Sequence, residues 1–127
     1  MLASLAVAAG GAAGSLLRYW ATLAAARVGW VTFPWSTIAI NIAGSFVIGW
    51  FATASMPGGP SPASHEMRLL VMTGLCGGFT TFSAFSLQTL DLARGGDWTA
   101  AAANVLLSLV LCLAAVALGH WAAVQAS

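Results

Sequence analysis

Residues 74–86 read GLCGGFTTFSAFS, and they concentrate the side chains and backbone freedom best suited to chemistry in this chain. Gly74, Gly77 and Gly78 lead directly into Thr80, Thr81, Ser83 and Ser86, with Phe82 and Phe85 among them. Hydroxyls without formal charge suit a small, strongly hydrated anion, which must exchange water for protein hydrogen bonds and still be able to leave. Phe82 and Phe85, three apart, share a helix face, and the edge of a phenyl ring is the positive end of its quadrupole, so ring edges also favour an anion. Neutral donors recur elsewhere at spacing four: Thr37, Asn41 and Ser45, then Asn104 and Ser108, each set a stripe along one helix face. The same groups also suit plain hydrogen bonding and packing between helices.

The elements that must hold these residues are membrane spans. Of 127 residues 60% are hydrophobic and 6% charged, far below the roughly 25% charged content of a soluble domain. With about 20 apolar residues per span, the length holds four spans and leaves no room for a second, soluble domain. The expected architecture is one all-α domain over 1–127, with spans at about 2–26, 36–55, 67–94 and 98–124. The amino-terminal run lacks a basic region and stays apolar past Gly14, so it reads as a retained span rather than a signal peptide. Trp30, Phe33, Pro34 and Trp35 mark a water interface after the first span, and MPGGPSPASHE reads as the longest loop. Gly95, Gly96 and Asp97 form so short a link that the last two spans must be antiparallel neighbours.

An unbroken third helix of about 28 residues would reach about 42 Å, well beyond the roughly 30 Å hydrocarbon core. The weak helix formers Gly77 and Gly78, followed by Thr80 and Thr81, place the interruption near mid-membrane. A half-helix ending near Gly77 would expose carbonyl oxygens carrying partial negative charge, which suit a hard cation such as sodium. Gly10 with Gly14, Ala39 with Ala43, and Ser45 with Gly49 have the small-residue spacing that lets helix backbones approach.

Several function classes drop out. Net charge is +1 and lysine is absent, so no basic face suggests nucleic acid. Glu66, Asp91 and Asp97 fall near span ends, which argues against proton relays and against a small multidrug or cation antiporter, which needs an embedded carboxylate. No nucleophile and base pair suggests an enzyme. Cys76 and Cys112 lack metal-ligand spacing and read as small buried thiols. A non-transporting assembly subunit, whose glycines and hydroxyls only pack helices, stays open at this stage. Arg18 either snorkels to the interface or organises the cytoplasmic mouth. Four short spans barely enclose an aqueous path, so oligomerisation is expected. Arg68 lies on the side of the first terminus and Arg27 and Arg94 opposite, a bias slight enough for insertion both ways up and pairing about a two-fold axis in the membrane plane.

GGAAGSLLRY at 10–19, WSTIAINIAGSFVIG at 35–49 and GLCGGFTTFSAFS at 74–86, in that order, resemble the Fluc fluoride channel family, also called CrcB. The resemblance runs along essentially the whole chain. It implies an antiparallel, dual-topology homodimer in the cell inner membrane, with two fluoride pathways and a structural sodium ion at the dimer interface. By motif position it implies that Asn41 is a pore asparagine, that Phe82 and Phe85 line the fluoride route, that Gly77 and Thr80 bind sodium through main-chain carbonyls, and that Ser108 belongs to a polar track. Thr37, Thr81 and Ser83 join the expected fluoride pathway. Gln88 stands where many relatives have Glu, and Asn104 and Cys112 where some have Tyr and Ser. The implied function is passive, selective fluoride export that confers fluoride resistance.

Overall fold

The computed structural model of the chain describes residues 1–126. All regular structure among them is helical, and four segments are long and apolar enough to cross a membrane: Leu2–Arg27, Trp35–Ala54, His65–Arg94 and Trp98–Gln125. The chain is a multi-pass membrane protein. Its outward surface carries large apolar side chains such as Leu2, Leu5, Leu16 and Leu118, as lipid contact demands.

The first helix, Leu2–Arg27, lies against the front half of the third span, and the second, Trp35–Ala54, against the last, Trp98–Gln125. Glycines set both contacts. A Cβ on Gly10 would strike the Leu70 carbonyl, and one on Gly14 the Leu75 carbonyl, so only glycine lets these backbones touch. Gly49 meets Val116 and Gly119 meets Phe46 in the same way across the second pair. Ala39 and Ala43 are exposed, so the close approach of the second helix to the last runs through Gly49 and Gly119, each against the partner backbone, and not through the alanine pair.

The third span is interrupted, with a correction to the expected position. It opens as His65–Arg68, capped by Ser64, widens to a π-helical stretch over Leu69–Cys76, and stays helical through Gly77–Phe79. Gly77 and Gly78 are therefore inside the half-helix rather than its end. A Cβ on Gly78 would meet the backbone of Gly11, which makes that glycine a packing residue of the first helix contact. The chain leaves the helix at Thr80 (ψ 161°) and Thr81 (φ −153°, ψ 113°), both extended, and re-enters it at Phe82–Arg94. Two β-branched residues favour that extended backbone. At the far end Gly96, at φ 86°, turns the chain, and Asp97 caps the last helix by accepting from Ala100 N at 2.9 Å.

The loop after the second helix is tied down by Arg68. Its guanidinium donates to the Ala52 carbonyl at 3.2 Å and to the hydroxyl of buried Ser55, neutralising a helix carboxyl end.

Candidate functional site

The interruption is built from side chains that take over broken backbone bonds. In a continuous helix the Thr81 amide would donate to the carbonyl of Gly77. It donates instead to Asn41 Oδ1 at 2.8 Å, while Asn41 Nδ2 donates to the Thr81 carbonyl at 3.2 Å. One carboxamide on the second helix thus satisfies both polar groups of the most extended residue. Thr80 closes the front half: its amide and its hydroxyl both donate to the Cys76 carbonyl, at 2.9 and 2.8 Å. Its methyl group sits against Gly44, where any side chain would collide. Thr81 opens the rear half, its hydroxyl accepting from Ala84 N at 3.1 Å and lying 3.2 Å from Ser83 Oγ.

Beside this pinned segment lies a cavity of about 340 Å³. Asn41, Gly77, Thr80, Thr81, Phe82, Phe85 and Ser108 line it, from three different spans, together with Ser45, Cys76 and Cys112. No lining residue is charged. The Phe82 and Phe85 rings stand 5.2 Å apart, tilted at 51°, so they present edges as well as faces. Phe85 is 9% exposed and Phe82 75% exposed.

Three expected residues lie outside this gathering. Thr37 is buried one turn beyond Asn41, Ser83 only supports the Thr81 hydroxyl, and Arg18 is half-buried on the first helix, away from the cavity. The structure adds residues that the sequence reading did not place at the site. Gly44 admits Thr80, and Thr89 receives the Asn104 amide at 2.8 Å, which joins the last helix to the rear half of the third span. The spacing-four stripe containing Asn104 was visible, but its partner across the helices was not.

A second cavity, of about 380 Å³, lies at the end opposite the amino terminus, lined by Trp30, Phe33, Ser36, Gln88, Asp91 and Asp97 among others. Gln88 Oε1 is buried and finds no partner among the described residues.

Residues 5–120 match the family described as CrcB-like protein, Camphor Resistance (CrcB). The chain belongs to the CrcB family. A relative in Paramagnetospirillum magneticum, named fluoride-specific ion channel FluC, is 54% identical over 123 residues, 97% of this chain and 96% of its own length. Its namesake in Rhodospirillum rubrum is 56% identical over 119 residues, covering 93% of this chain and 92% of its own length. Another in Opitutus terrae is 54% identical over 118 residues, covering 93% and 89%. The three relatives carry the name of an ion channel, and none that of an enzyme.

Proposed function

We propose that this CrcB chain is a fluoride-specific ion channel that passively exports fluoride across the cell inner membrane. The observation that carries this reading is the convergence of uncharged donors and two phenyl rings on one cavity that contains no carboxylate. An antiporter of cations would need a carboxylate there, and an anion would be repelled by one. Hydroxyl and amide donors can replace a hydration shell, while ring edges add favourable charge without binding so tightly that the ion cannot leave. Fluoride enters cells as neutral hydrogen fluoride and is trapped as an anion at neutral pH. A membrane potential of about 100 mV, negative inside, supplies about 2.3 kcal/mol per charge, close to fiftyfold in concentration, so export needs no pump.

The working unit in this reading is an antiparallel homodimer of chains inserted both ways up, with a structural sodium ion between them. Two features support it. Phe82 is 75% exposed although it borders the cavity, so a lone protomer leaves one wall of the route open. The Thr81 amide is diverted to Asn41, which leaves the Gly77 carbonyl without its helical donor at the negative end of a half-helix. Gly77 and Thr80 both border the cavity and could hold a hard cation through their carbonyls. Two oxygens are too few for such an ion, and a second copy doubles them. The ion would serve as a pin for the interruption.

Efflux from proteoliposomes, followed with a fluoride electrode and a potassium ionophore to balance charge, tests the function. Rapid fluoride release with chloride retained is the expected result. No release from folded protein would leave the assembly-subunit reading in its place.

A further inference from the structure

Asn104 is almost wholly buried, at 1% exposure. Its amide orientation follows from proton counting. Thr89 has one hydroxyl proton and donates it to the Phe85 carbonyl at 2.8 Å, so the 2.8 Å contact between Asn104 and Thr89 must be donated by Asn104 Nδ2. Oδ1 then faces away from Thr89, and it finds no donor among the described residues. One turn along the same face, Ser108 is 7% exposed, and its hydroxyl also finds no partner among them. Ser108, unlike Asn104, borders the cavity beside Thr81 and Phe85.

Two buried, unpartnered oxygens one turn apart point to a shared third group. Residues at spacing four are neighbours on a helix face, with Cβ atoms about 5–6 Å apart, near enough for their side chains to share one small bridging group. A bare anion is excluded next to Asn104 Oδ1, which only accepts. A cation would be buried there without a countercharge. Water is neutral and brings two protons.

We propose, on the channel reading above, that Asn104 Oδ1 and Ser108 Oγ share one ordered water, and that this water turns the Ser108 hydroxyl proton into the cavity. The direction of the chain is set at Asn104. Because Oδ1 can only accept, it takes one of the water's protons, and the second, which would otherwise be buried without an acceptor, goes to Ser108 Oγ. Ser108 has then accepted on one side and is left with its own O–H as a donor for the anion. Asn104 is thus a positioning residue: it never touches the ion, yet it decides that Ser108 presents a proton rather than a lone pair.

A double-mutant cycle in the efflux assay tests the coupling. Ser108→Ala and Asn104→Leu are each expected to slow fluoride release about tenfold, the loss of one hydrogen bond to a charged group. Because both remove the same donor, Asn104→Leu with Ser108→Ala should also be about tenfold slow. Independent packing effects would multiply to about a hundredfold, and that result, or a wild-type rate in Asn104→Leu, overturns the proposal. Should Asn104→Leu fail to fold, a wild-type structure at a resolution showing ordered water decides: one oxygen within about 3 Å of both atoms supports the proposal, and protein atoms filling the gap refute it. Absence of fluoride release from the wild type would count against the channel reading, while the bridging water would still be decided by the structure.

Discussion

At Asn41 a single carboxamide serves two polar groups of Thr81, so its two ends have different jobs. Asn41→Asp keeps an acceptor for the Thr81 amide but loses the donor to its carbonyl and places negative charge on the cavity wall. Fluoride release should fall by at least about tenfold, the effect of one unscreened like charge on the route, as read with the fluoride electrode. The two phenylalanines separate function from folding. Phe85 is buried, so Phe85→Ala should lower protomer stability by about 3–5 kcal/mol as well as release. Phe82 contributes little to the protomer core at 75% exposure, and Phe82→Ile should slow release while leaving thermal unfolding of the protomer within about 0.5 kcal/mol. Equal thermal effects at the two positions would contradict this division.

The helices meet through glycine at the scale of elements, and neighbouring glycines are not equivalent. A Cβ at Gly10 meets the backbone of the third span, whereas a Cβ at Gly11 meets open space. Gly10→Ala should therefore separate the first helix from the third and destabilise by about 1–3 kcal/mol, the usual range for overpacking. Gly11→Ala should be neutral or stabilising by up to about 1 kcal/mol, since alanine is the better helix former. Thermal unfolding in detergent reads both. The rear half of the third span starts from the Thr81 cap, and the front half is joined to the second helix by Arg68 through Ser55 and Ala52. Each half is fixed separately, which lets the segment between them stay extended inside a membrane.

The whole molecule, as a single chain, leaves Phe82 exposed at the edge of a cavity that Gly77 and Thr80 also line. If chains insert both ways up, Ser61→Cys in the exposed loop should be labelled by an impermeant maleimide to about half from each side of sealed vesicles, with wild-type protein as the control for Cys76 and Cys112. Labelling from one side alone would end the dual-topology reading. If two copies pair around a sodium ion as proposed, replacing sodium by a large organic cation should lower thermal stability, because the main-chain oxygens that held it would then face one another without it.

Much of this protein was legible without coordinates, because lipid leaves few choices. A chain with 6% charged residues must satisfy its backbone internally, so four helical spans followed from hydropathy, and an overlong third span had to break. The motifs around Asn41 and Phe82 carried the family. Tertiary structure decided the rest. Glycine weakens a helix, which made Gly77 and Gly78 the natural place for the interruption, yet Gly78 packs helically against Gly11 and the break falls at Thr80 and Thr81. The Asn41 bond to Thr81 spans 40 positions, and the Asn104 bond to Thr89 crosses between two helices, so no local spacing could announce either. Sequence fixes which groups are available and how many helices carry them. Only the packed chain determines which backbone amide a side chain captures, because that depends on how closely the helices approach.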